Sequence, residues 1–239
     1  MVAITAITAQ NTVGVQAVEA VSNEMIEAQV AAVRDDIGVD AVKVGMLGTA
    51  PTIEAVARAL TDLRTPESVP VVLDPVMVAE SGAELLEPEA RTILIETLLP
   101  LATVVTPNIP EARVLTGLGP DADQRALALA IRDLGPEWVI VTGGHSEGLM
   151  DVLVGPDEVI EIEGDRHETD ASHGSGCTHS SALAAGLALG MEVPEAARLA
   201  RVVASAAVGQ GLASIGSGSG PVDALGIVAG ADARRDGQG

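Results

Sequence analysis

The chain has 239 residues, 47% of them hydrophobic, with 34 acidic against 13 basic side chains and a formal net charge of −21. That length and apolar content suit one large α/β domain or two small ones, and the charge argues against a nucleic-acid partner because nothing here neutralises a line of phosphates. With no Phe, no Tyr and a single Trp, Trp138, the buried area must come from aliphatic side chains.

So large a negative charge costs self-repulsion and is tolerated best where salt screens it, which points to a saline cytoplasm. Lys43 is the only lysine among the basic residues. A single cysteine excludes an internal disulfide, and no charged start followed by an apolar stretch opens the chain, so it reads as cytoplasmic with no membrane partner.

Short Val/Ile-rich runs alternate with longer segments of helical period. "VAITAIT" reads as a strand, 22–37 as a helix, "AVKVG" as a strand, 52–63 as a helix and "VPVVLDP" as a strand. The rhythm continues through a helix over 88–98, the strand "ATVVTPN", helices over 109–115 and 123–134, and the strand "EWVIVTGG". This βαβ alternation predicts a parallel sheet covered on both faces.

Next, "DVLV" and "EVIEIEG" predict an antiparallel addition at the sheet edge. A glycine-rich stretch leads into a helix over 178–189, and a last helix begins around Pro194 with Glu195, Arg198 and Arg201 on one face. The folded body is expected over 1–225 and a frayed tail over 226–239.

Four strands end alike, in polar or glycine turns at Gly45, Asp74-Pro75, Pro107-Asn108 and Gly143-Gly144. In open parallel sheets, ligands sit outside such ends. Asp74 can reach a metal-bound water or merely shape an Asp-Pro turn. In "TPNIPEA", Asn108 and Glu111 stand three apart on one helix face, where they can hold a hydrated Mg²⁺ beside phosphates, or Asn108 can simply cap the helix. Thr142 and the amides of Gly143 in "VTGGH" can meet a phosphate or form a plain turn.

The stretch "HGSGCTHSS" holds the only cysteine, Cys177, directly before a helix. Free backbone N–H groups at such a start favour an anion, and the same field lowers the pKa of a thiol there. The bland alternative is a tight turn with Cys177 as a small hydrophobe. A thiol phosphatase fails, because no arginine closes the loop after Cys177. A metal site from His173, Cys177 and His179 with His145 or His167 is a further alternative, poorly suited to glycines aimed at an anion. A second glycine run, "GSGSGPVD" from Gly216, reads as a loop closing over a nucleotide base or as a surface turn.

In this order, "TAITAQNT", "VKVGML", "VVLDPVMVAESGAELL", "TPNIPEA", "VTGGH", "HGSGCTHSSALAAGLALG" and "GSGSGPV" resemble the hydroxymethylpyrimidine and phosphomethylpyrimidine kinases of thiamine biosynthesis, within the ribokinase-like superfamily. The resemblance implies a three-layer αβα fold around a mostly parallel sheet, a homodimer, and transfer from ATP with Mg²⁺ to 4-amino-5-hydroxymethyl-2-methylpyrimidine and then to its monophosphate. By position it places Gln10, Met46 and Val76 at the pyrimidine. It makes Cys177 the base for the substrate hydroxyl and gives the amides of Gly174, Ser175 and Gly176 to the transferring phosphoryl group.

The resemblance also assigns Asn108, Glu111, Thr142, Gly143 and Gly218 to ATP, and Asp74 with Glu111 to Mg²⁺. Two departures stand out. Thr142 occupies the place of a usual lysine, and the chain starts at what resembles the family's second strand, without the glycine-rich loop expected before it. A related pyridoxal or pyridoxine kinase and a non-catalytic nucleotide-binding pseudo-kinase are the alternative readings.

Overall fold

Four parallel strands, β3 (Val42–Val44), β4 (Val71–Leu73), β5 (Val104–Val105) and β6 (Trp138–Val141), lie side by side in chain order. They are extended by the antiparallel β7 (Met150–Val154) and β8 (Val159–Glu163). The computed structural model describes residues 1–63, 69–79, 82–144 and 150–226; most of the expected tail, with Glu80, Ser81 and His145, lies outside them. No helix among the described residues is long and apolar enough to cross a membrane.

Alternate strand residues point to opposite faces, and the core divides accordingly. Val71, Leu73, Val105, Val139, Val141, Val152 and Val154 join one cluster, covered by α1 (Asn23–Asp36), α2 (Ala50–Leu63), α3 (Ala90–Ile93), α4 (Ile109–Thr116) and α5 (Gln124–Arg132). Val72, Val104, Ile140 and Leu153 join the other, covered by α6 (Ser175–Ala188) and α7 (Val193–Gly209). The three-layer αβα fold with a mostly parallel sheet therefore stands. Truncating a fully buried side chain such as Ile140 to Ala would cost about 2–5 kcal/mol.

Local chemistry sets the helix starts. Ser22, Asn108 and Asp123 each accept the backbone N–H three residues on, so the predicted boundaries hold to within about two residues. In α2 the buried Ile53, Val56, Leu60 and Leu63 recur at helical spacing. The apolar run "ALAAGLALG" is a close helix–helix seam: a Cβ on Gly186 would lie 3.0 Å from the Ala196 Cβ.

The start of the chain corrects the expected pattern. "VAITAIT" does not enter the parallel sheet; β1 (Ala6–Gln10) pairs antiparallel with β2 (Val15–Ala20) in a separate ribbon. Its turn is an Asn11 device, whose side-chain oxygen accepts the N–H groups of Val13 and Gly14 at 2.9 and 3.1 Å. Strand β2 gave no signal because five of its six residues are exposed and no buried face imposes a pattern. Strand β3 forms the sheet edge, and a groove of about 680 Å³ runs along it, lined partly by residues 1–6.

Candidate active site

At the carboxyl end of the sheet, Gly174 turns the chain with φ of +90°, a conformation open to glycine, and caps α6. The helix begins three residues earlier than its sequence pattern predicts, so Cys177 sits inside the first turn. Among the described residues the amides of Gly174, Gly176 and Cys177 have no partner, whereas Ser175 donates to the Ser172 carbonyl at 3.0 Å. The amides left without a partner in this turn are thus those of Gly174, Gly176 and Cys177, and the expected Ser175 amide is already used.

Cys177 is exposed, yet its thiol departs from expectation. Desolvation by the surrounding protein pushes its pKa up, Lys43 pulls it down, and Asp74 and Glu111 push it up again. Helix-start physics alone predicted the opposite direction; the two carboxylates brought in by the fold, together with desolvation, account for the reversal.

Asp74, buried after β4, accepts the Ser180 hydroxyl at 2.9 Å and lies 3.4 Å from the Lys43 Nζ. Ser180, wholly buried one turn after Cys177, is also within hydrogen-bond reach of the Gly176 and Cys177 carbonyls. Neither Lys43 nor Ser180 stood out as a site residue in the sequence. The available signals were the solitary lysine and a hydroxyl three residues after the cysteine.

Glu111 closes a capping box: it receives the Asn108 N–H at 3.0 Å and returns its own amide to the Asn108 side chain at 2.8 Å. Its other oxygen takes the Met77 N–H at 3.4 Å. Burial, reinforced by the nearby charge of Asp74, raises its pKa to about 7 despite these hydrogen bonds. Both carboxylate oxygens are therefore engaged, which suits contact with a hydrated metal ion through water better than direct ligation.

The next strand-end turn is adjacent: Asn108 bridges to Thr142, whose amide donates to the Pro107 carbonyl at 2.9 Å. The Gly143 amide donates to Asp151 at 2.9 Å, and a Cβ on Gly143 would fall 2.0 Å from the Met150 carbonyl oxygen. Asp151, fully buried, also stands 3.5 Å from Arg201 and 3.6 Å from the His179 Nε2. Burial holds His179 neutral, lowering its pKa against the pull of Asp151. This cluster faces α7, and His167 turns to Ser205 at 2.8 Å. Among the described residues no three His, Cys, Asp or Glu side chains form a metal-holding group.

The second glycine run is tied to the cysteine loop. His173 and Pro221 form a bridge, and the Gly218 amide reaches the Thr12 hydroxyl at 3.3 Å. Gln10, His173 and Gly218 line one cavity of about 250 Å³ at the ribbon turn. Met46 lies on the separate groove beside Lys43 and Ser181, while half-buried Val76 stands two residues after Asp74. The three expected pyrimidine-pocket residues thus stand at the same end of the sheet without sharing one cavity.

Residues 1–223 match the family model of phosphomethylpyrimidine kinase. Over 225 residues the chain is 46% identical to the hydroxymethylpyrimidine/phosphomethylpyrimidine kinase of Rhizobium meliloti (strain 1021), covering 92% of this chain and 83% of that one. The phosphomethylpyrimidine kinase structure from Clostridium difficile 630 superposes with a TM-score of 0.72 at 41% identity, over 84% of this chain and 83% of that one. An ADP complex of Bacillus subtilis pyridoxal kinase gives a TM-score of 0.83 at 36% identity, over 95% and 86%.

Proposed function

The chain belongs to the phosphomethylpyrimidine kinase family, and we propose that it phosphorylates 4-amino-5-hydroxymethyl-2-methylpyrimidine and then its monophosphate with ATP. The observation that carries this reading is the first turn of α6, where the Cys177 thiol stands beside the unpartnered amides of Gly174, Gly176 and Cys177.

In the transfer, the hydroxyl oxygen of the acceptor attacks the γ-phosphorus, an O–P bond forms, and the bond to the β–γ bridging oxygen breaks to release ADP. Cys177 Sγ takes the proton that the hydroxyl loses. The three amides meet charge that develops on the equatorial oxygens, at no cost of reorganisation because the glycine turn already aims them. The Thr142 and Gly143 amides already donate to Pro107 and Asp151, so Gly143 shapes the turn, the Thr142 hydroxyl and Asn108 face the rest of the triphosphate, and Gly218 stands by for the base.

Mg²⁺ bound with the nucleotide would neutralise phosphate charge. Asp74 and Glu111 suit its hydration shell, since Asp74 is occupied by Ser180 and Lys43 and Glu111 by backbone amides. Gln10, Met46 and Val76 would frame the pyrimidine once the ribbon and the β3 edge approach each other around it.

Ile7 and Val18, 62% and 49% accessible, stand on opposite faces of the β1–β2 ribbon, and Val13, 64% accessible, lies in its turn, so the ribbon offers exposed apolar side chains to a second copy on either face. The reading includes a homodimer in the cytoplasm, its association state checked by sedimentation; a monomer at micromolar concentration would exclude the dimer.

Purified protein incubated with ATP, Mg²⁺ and each acceptor, with ADP release followed, tests the activity. Turnover with the hydroxymethyl pyrimidine and its monophosphate is expected. The pyridoxal kinase neighbour makes pyridoxal the competing acceptor, and a clear preference for it, or nucleotide binding without transfer, would overturn the proposal.

A further inference from the structure

Lys43 is the one lysine of the chain, and the other twelve basic residues are arginine. It stands on β3 with its side chain only 21% exposed. Its Nζ occupies a notch left by Gly45, where a Cβ would come within 2.8 Å of the nitrogen. The ammonium lies 3.4 Å from Asp74 Oδ2, the same oxygen that accepts the Ser180 hydroxyl from the turn carrying Cys177. A compact point charge with rotating donors fits such a notch, whereas a planar guanidinium needs more width.

The charged groups acting on the thiol come from three elements: Lys43 from β3, Asp74 from the turn after β4, and Glu111 from α4. Two of the three are carboxyl groups, and an arriving triphosphate adds further negative charge. A thiol can accept a proton only as thiolate, so something fixed in the protein must oppose that field. Thr142 carries no charge to do so.

We propose that Lys43 is a positioning residue for the transfer, held in the Gly45 notch by Asp74 so that its ammonium favours the thiolate of Cys177 against the field of the two carboxyl groups. The proposal rests on the reading of Cys177 as proton acceptor, and it adds a residue whose role is electrostatic and does not require contact with the acceptor.

Because Cys177 is the only cysteine, its alkylation by iodoacetamide, followed by intact mass against pH, reads this one thiol without ATP or acceptor. Lys43→Met keeps most of the stem and removes the charge; its alkylation midpoint should rise by about one pH unit, with about a tenfold slower reaction at pH 7.5. Lys43→Arg should fall between Lys43→Met and the unaltered chain. A midpoint in Lys43→Met equal to that of the unaltered protein overturns the proposal.

If Lys43→Met does not fold, acetylating the folded chain neutralises the same group. Acetylated Lys43→Arg, in which only the terminal amine reacts, is the control. Acetylation that slows the thiol in the unaltered chain but not in the control supports the role, and equal rates overturn it. A Cys177→Ala variant that loses turnover beside an unmoved Lys43→Met titration would keep the kinase reading and remove Lys43 from it.

Discussion

Ser180 donates its hydroxyl to Asp74 Oδ2 at 2.9 Å, joining the first half of α6 to the end of β4 across 106 residues of sequence. The bond aligns the cysteine-bearing turn with the strand-end carboxylate, and neither residue has a local reason to seek the other. Ser180→Ala leaves a buried carboxylate with Lys43 alone, and unfolding in urea should show a loss of roughly 1.5–3 kcal/mol, the usual worth of a hydrogen bond to a charged group. A loss under about 0.5 kcal/mol, within the range of inert surface changes, would mean that Ser180 does not hold Asp74.

Cys177→Ala removes the thiol while leaving the amide set of the turn intact. Turnover should fall by about 10²–10⁴-fold, the usual contribution of a positioned base, with nucleotide affinity unchanged. Calorimetry with an ATP analogue separates the two effects. Undiminished turnover in this variant would exclude the thiol as base.

Glu111 makes stability depend on pH. Its folded pKa of about 7 lies above the ordinary 4.5, so between these values the native state binds more protons than the unfolded one, and stability falls as pH rises through that window. The full effect is on the order of 3 kcal/mol at 1.36 kcal/mol per unit. Glu111→Gln should flatten the decline between pH 5 and pH 8, within about one unit of each end of that window. An unchanged slope in this variant would place the pH dependence elsewhere.

The net charge of −21 sets a salt response. Screening shortens to about 3 Å at 1 M salt, so the thermal midpoint should rise as KCl goes from about 0.1 M to 1 M. A flat or falling series would show that self-repulsion does not limit this fold.

Gly218 and Gly119 make a matched pair. A Cβ at Gly218 would lie 1.9 Å from the Thr12 carbonyl oxygen, while one at Gly119 meets nothing within 4 Å. Gly218→Ala should push the glycine run off the ribbon turn and raise the KM for substrates, and Gly119→Ala should behave as the unaltered chain. Equal kinetics for the two variants would mean that the ribbon contact plays no part in binding.

Much of the fold was legible because the determinants are local. Runs such as "VPVVLDP" and "EWVIVTGG" can be buried on both sides only in a covered sheet, and Ser22, Asn108 and Asp123 mark helix starts through hydrogen bonds to nearby amides. The β1–β2 ribbon was misread where this reasoning has no hold, because neither strand buries a residue fully and nothing local marks which sheet it joins. In the site, the glycine turn before α6 was visible in the sequence, but the loss of the Ser175 amide depended on where α6 begins.

By itself the sequence determined the layer order, the turns at the strand ends and the family, since each follows from contiguous residues whose spacing encodes period, caps and glycine-dependent turns. Only the tertiary structure decided the charge around Cys177. Electrostatic interaction depends on distance through space and on burial, and it is the packing of α6 on β3 and β4 that sets one ammonium and two carboxyl groups against a thiol that the chain places far from all of them.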